Sequence, residues 1–193
     1  MNSVLLRYKE KAIEKKIPLT TNESIRWFQR VIRKTTAKHS SLLNDPAVSV
    51  ATQLKIGSMY TYVYDPKHKL TLPYYDVFPV IILVDYAENG FYGLNLHYIQ
   101  PSLRTKLFSA LRENLTTKKY GPKTRLRLTY NMLSASSRYK EFAPSFKRYL
   151  YDHVASKVVE INPSEWEIAI HLPVEGFMKE TAKTVWRKSK GKI

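Results

Sequence analysis

The apolar and polar positions between residues 57 and 98 repeat with a period of two, which predicts strands. Within 57–65, Tyr60, Tyr62 and Tyr64 share one face, and Met59, Thr61 and Val63 share the other. Residues 77–85 form a mostly apolar, β-branched run, expected to be buried on both faces of a sheet. Pro79 has no N–H for a ladder, so pairing should start after it or bulge there. At 87–90 the Asn89–Gly90 step can supply the positive φ that a tight hairpin needs, and 91–98 returns. Residues 125–129 alternate again, with Arg125 and Arg127 on the polar face. Two closing strands are predicted at 157–161 and 166–172, joined by a turn or a single 3-10 turn at 162–165.

A period near 3.6 marks the helices. Thr20 and Glu23 have capping-box spacing just after Pro18, which ends any earlier helix. At 100° per residue, Ile25, Trp27, Phe28, Val31 and Ile32 then gather on one side, with Arg26, Arg30, Arg33, Lys34 and Lys38 on the other. Pro101 opens a further helix, where its missing N–H costs nothing. Its buried stripe is Leu103, Leu107, Ala110 and Leu111, with Arg104, Lys106 and Arg112 to the side. Residues 142–154 read as helical, with Phe146, Leu150 and His153 or Val154 inward and Lys147 and Arg148 outward.

Three meander strands, a helical insertion and two closing strands predict an α+β fold. The expected form is a small five-stranded antiparallel SH3-like barrel with N-terminal helices and an inserted helical segment. The chain divides into a basic N-terminal helical segment at 1–40, a barrel-like core at 50–177 with the insertion at 101–154, and a basic tail at 178–193. The tail is expected to be loosely held.

Charge changes the picture most. The 193 residues hold 32 Lys and Arg against 16 Asp and Glu, a net charge of +16. Segments 1–38, 102–148 and 179–193 carry balances of +7, +10 and +5, whereas 56–99 carries −2. A near-neutral core therefore wears basic additions, and such a surface attracts polyanions. An assembly protein that meets nucleic acid only in passing would share this charge. The helix at 20–38 is more pointed, because no acid balances its five outward cations. With 44% hydrophobic residues the chain can bury a core, so the charge does not signal disorder.

Candidate chemistry is thin. Cysteine is absent, which removes disulfides, thiolate nucleophiles and thiolate zinc sites. Six glycines form no phosphate-cradling motif, and neither cofactor nor metal is expected. His39, His68, His97, His153 and His171 lack paired ligand spacing, and His97 and His171 read as core or interface imidazoles. Asp65, Asp85, Glu88, Glu165 and Glu167 are the carboxylates a nuclease would use, but at strand ends and turns they read as caps and turn formers. The fourteen tyrosines include Tyr60, Tyr62 and Tyr64 in a row, with Tyr74, Tyr75, Tyr92 and Tyr98 nearby in sequence. A base-stacking platform is one reading; packing ranks above it because the segment lacks cations. The N-terminus has no signal-peptide pattern and no apolar run approaches the ~20 residues that span a bilayer, so an intracellular, soluble protein without membrane contact is expected.

Several blocks resemble a known family. They are YTYVYDPKHK at 60–69, TLPYYDVFP at 71–79, GFYGLNLHY at 90–98, RLTYNML at 127–133 and SEWEIAIHLPVEGF at 164–177. Over about residues 22–177 the chain resembles the DNA end protector proteins of T-even-like bacteriophages. The resemblance implies a late head-completion protein of the virion that sits on the ends of packaged double-stranded DNA. After injection into the host cytoplasm it would shield those ends from exonuclease. Phage head, portal or neck proteins are the implied protein partners, and no catalytic residue carries over.

The expected function is non-specific binding of DNA ends without catalysis. The phosphate contacts are assigned to Arg26, Arg30, Arg33, Lys34, Lys118, Lys119, Lys123, Arg125, Arg127, Arg138, Lys140, Lys147 and Arg148. The alternatives are a structural neck or baseplate connector and a metal-dependent nuclease.

Overall fold

Ser3 opens the first helix, its hydroxyl accepting the amide of Leu6 at 3.1 Å. The same side chain donates to the carboxylate of Glu165, tying the N-terminus to a distant part of the chain. The computed structural model describes residues 3–17, 26–27, 30–31, 39–116, 131–132, 142–172 and 176–190. Helix α1 spans Val4–Glu14. Residues 26–27 and 30–31 are helical, and Trp27 and Val31 pack on the core while Arg26 and Arg30 are exposed. Helix α2 spans His39–Leu43, α3 Pro101–Thr116, α4 Trp166–Ala169 and α5 Ala182–Lys190.

Among the described residues the main sheet has six strands: β1 (Ser49–Val50), β2 (Met59–Thr61), β4 (Val80–Ala87), β5 (Gly90–Asn95), β6 (Phe146–Leu150) and β7 (Val159–Ile161). Their order is β1-β7-β2-β4-β5-β6, and every pairing is antiparallel. A separate ribbon pairs β3 (Tyr75–Asp76) with β8 (Phe177–Met178). Mixed helix and antiparallel sheet is the class expected. Among the described residues a closed five-stranded barrel is not found: the order runs open from β1 to β6. The sheet nevertheless curls. Tyr64, past the end of β2, bridges Val154, past the end of β6, and the amide of Ala155 donates to Val63 at 2.8 Å.

Alternation along the strands builds two cores. Met59, Val80, Ile82, Val84, Leu94 and Ile161 face the side covered by Leu5, Tyr8 and Ala12 of α1 and by Leu107, Phe108 and Leu111 of α3. Tyr60, Tyr62, Tyr64, Ile81, Leu83, Phe91 and Tyr149 fill the other side. Strand β4 thus contributes to both, as its unbroken apolar run predicts. Pairing starts at Val80, just past Pro79. The hairpin turns on Glu88 and Asn89, and Asn89 takes φ 54°.

Residues 142–154 are not one helix. A 3-10 turn at Ala143–Ser145 leads into β6, and a second follows at Tyr151–His153. The open edge of β5 decides this: Leu94 to Gly90 pair with Phe146 to Leu150 along the whole strand, which puts Tyr149, expected on neither inward stripe, in the core at 4% exposure. Residues 166–172 are not a strand. Asn162 caps a 3-10 turn at Pro163–Glu165 that continues into α4, and the Trp166 indole donates to the carbonyl of Ile161 at 2.8 Å. Every residue there except Glu167 is buried, so its burial carries no period to tell helix from strand. The predicted strand at 125–129 lies outside the described residues. Arg104, expected at the side of α3, is instead buried against four carbonyls. The basic tail is no loose end: Val185 of α5 is fully buried, and the Trp186 indole donates to the carbonyl of His97 at 2.8 Å. Among the described residues, no helix is long and apolar enough to cross a membrane.

Candidate nucleic-acid interface

Strand β6 brings two of the nominated cations to one edge of a cleft. The Lys147 ammonium stands 4.3 Å from the centroid of the Tyr98 ring, and the Arg148 guanidinium donates to the carbonyl of Glu88 at 2.7 Å. Facing them is the loop after Tyr64, which brings Lys67, His68, Leu72 and Tyr74. The space between is about 360 Å³. Lys67, His68 and Arg148 are exposed, whereas Tyr74, Leu72 and Lys147 are half-buried.

The floor is a buried polar network. Asp76, at 4% exposure, accepts the Phe78 amide at 3.1 Å and the Asn95 side-chain amide at 3.0 Å, and meets His97 Nδ1 at 2.8 Å. Asn95 also donates to the Tyr149 hydroxyl at 3.0 Å. Burial pushes the Tyr149 phenol well above its usual range, with the Asp76 carboxylate adding to the effect, so this hydroxyl stays neutral. The Tyr98 phenol is raised for the same two reasons. The loop wall is tied down at its far end, where the Lys179 ammonium donates to the carbonyls of Lys69, Leu70 and Leu72 at 2.7, 3.0 and 2.8 Å. Lys69 forms a bidentate pair with Asp65, both contacts at 2.9 Å.

Four nominated phosphate contacts fall within the described residues. Arg26 and Arg30 project from a helical segment, and Lys147 and Arg148 lie on β6. Arg33, Lys34, Lys118, Lys119, Lys123, Arg125, Arg127, Arg138 and Lys140 lie outside them. The cleft adds Lys67 and His68, which the charge reading passed over because their surroundings are near-neutral. A lone Lys-His-Lys run after a proline was the available signal. Exposed cations of α5, Lys183 and Arg187, were likewise not nominated.

The tyrosine row packs rather than stacks. Tyr60 and Tyr62 are fully buried and Tyr64 is 7% exposed. The Tyr60 hydroxyl accepts the Lys55 amide at 2.8 Å, and the Tyr64 hydroxyl accepts that of Leu150 at 3.1 Å.

A family model described as phage T4 terminal DNA protecting protein matches residues 1–189. The chain belongs to that family. The match takes in the first two basic segments, most of the third and the sheet, whereas the resemblance read from the sequence reached only about 22–177. No curated protein and no solved structure matches the chain. Membership makes this a bacteriophage DNA-binding protein of the DNA-end-protecting kind.

In this member of the terminal DNA protecting family, four of the five carboxylates weighed above have separate local jobs. Asp65 holds Lys69, Asp85 accepts the adjacent Tyr86 amide at 2.8 Å, Glu165 accepts from Ser3, and Glu167 lies 3.7 Å from Lys9.

Proposed function

We propose that this protein seats on the ends of packaged double-stranded DNA, grips the phosphates without reading sequence, and keeps host exonuclease off the termini. It does so as a late head-completion component of the virion, and accompanies the DNA into the host cytoplasm. The observation that carries this reading is the family match over residues 1–189. A net charge of +16 supplies the matching electrostatics. All thirteen nominated cations stay in the proposal: Arg26 and Arg30 on the helical segment, Lys147 and Arg148 on β6, and the nine outside the described residues. Head, portal or neck proteins are the proposed protein partners, and catalysis is not part of the role.

Exonuclease digestion of linear duplex, with relaxed circular duplex as a binding competitor, tests the reading. Protection of the linear DNA that excess circles do not remove is expected. Unprotected ends sink the proposal. So does Mg²⁺-dependent degradation of linear DNA that Asp85→Ala abolishes, which would make the protein a nuclease.

A further inference from the structure

The cleft between β6 and the loop after Tyr64 has a use that coating of duplex phosphates leaves untouched. We propose that it is the end-recognition pocket, taking one unpaired terminal nucleotide of the DNA, base inward and phosphate outward; this rests on the end-protecting reading above.

The volume fits first. About 360 Å³ lies at the small end of the ~300–1,000 Å³ usual for ligand sites, and is too narrow for a base pair with its two backbones. The walls fit next. Tyr74 and Leu72 offer half-buried apolar surface, and Tyr74 lies 6.1 Å from Tyr98, so a base entering here meets an aromatic lining. The polar groups then fix the orientation. The buried Asp76 carboxylate at the floor repels an anion, which turns the phosphate away from it and toward the mouth. Lys67 and Arg148 at the rim, with Lys147 beside them, attract the phosphate.

The same geometry selects an end over an interior position. A nucleotide within duplex must be unpaired and unstacked on both sides to enter such a pocket, whereas a frayed or overhanging terminus has already lost most of that stacking. Duplex contacts elsewhere supply general affinity, and the pocket adds a contact that only a terminus can make.

Photocrosslinking of the full-length protein tests this directly. Linear duplex carries 5-iodouracil either at the terminal nucleotide or ten nucleotides inside, and a hairpin-closed duplex carries it at the loop. A crosslink mapped to Tyr74 or Tyr98 from the terminal position alone is expected. Tyr74→Ala should lower that yield about tenfold, and Tyr74→Phe, which keeps the ring, should restore it. Equal crosslinking from the interior position, or a terminal crosslink mapping outside the cleft, overturns the pocket, and end protection stands if linear DNA is still shielded. Loss of both crosslink and shielding removes the end-protecting reading as well. Full displacement of the crosslink by millimolar deoxynucleoside monophosphate, without displacement of the DNA, would assign the cleft to free nucleotide and overturn the proposal too.

Discussion

The Lys147 ammonium stands 4.3 Å from the centre of the Tyr98 ring, on strand β6, which also carries the nominated Arg148. The contact holds a flexible side chain beside the cleft. Lys147→Met should weaken duplex binding a few-fold and reduce the slope of log affinity against log salt by about one. Anisotropy titrations over a salt series measure both, and an unchanged slope would remove Lys147 from the phosphate contacts.

Arg104, on α3, ties three stretches of backbone together. Its guanidinium donates to the carbonyls of Ile99 at 2.7 Å and Ile170 at 3.1 Å, with Leu172 and His97 at 3.4 and 3.5 Å. Burial pushes its pKa down to about 9, so it remains charged at neutral pH. Arg104→Met takes this donor from the carbonyls of Ile99, Ile170 and Leu172, while that of His97 keeps the Trp186 indole, and should cost roughly 2–4 kcal/mol in urea denaturation. Arg104→Lys should recover only part of this, because an ammonium has no planar fork to span the four.

His171 makes stability depend on pH. Burial lowers its pKa from 6.5 to about 4, and the nearby Arg104 charge adds to the shift. The unfolded chain therefore binds a proton that the folded chain refuses. The stabilisation is complete above pH 6.5, falls as pH drops through that value, and is fully lost below about 4. The loss amounts to roughly 3 kcal/mol. Urea midpoints between pH 4 and 7 should show it, and His171→Leu should flatten that part of the profile relative to the parent.

Tyr62 is wholly buried, and its hydroxyl has no hydrogen-bond partner among the described residues. Its ring packs edge-on against Phe91 and Tyr149 at 5.9 and 5.6 Å. Tyr62→Phe keeps those contacts and removes a desolvated hydroxyl. Stability should stay level or rise by about 1 kcal/mol. A melting temperature several degrees lower would show that the hydroxyl is needed.

Gly90 sits on β5 opposite Leu150 of β6. A Cβ built there lies 2.0 Å from the Tyr149 carbonyl oxygen, a backbone atom that cannot turn aside. Gly90→Ala should push the two strands apart and cost roughly 2–4 kcal/mol, with the largest loss of amide protection in residues 146–150. Parent-like stability would mean that the pairing bends at little cost.

The elements legible in the sequence are those set by neighbours in the chain. The 59–64 alternation, the pairing that starts past Pro79, the Asn89 turn, Pro101 at its helix start and the 162–165 turn all depend on φ restriction, missing donors or side-chain period. Net charge is local in the same sense, since it survives any folding, and it pointed to a polyanion before any contact was known.

Other features depend on partners far away in sequence. The pattern around Phe146 to Leu150 allows a helix, and only the open edge of β5 makes it a strand. Arg104 looked like a surface cation until carbonyls some seventy residues on closed over it. The cleft is the clearest case. Lys67, Tyr74, Tyr98 and Lys147 have no common period or motif, and their segments differ in charge. Chain-local forces set which elements form and what overall charge they carry. Strand pairing and burial between distant segments decide which side chains meet, and a site made of such meetings exists only in the fold.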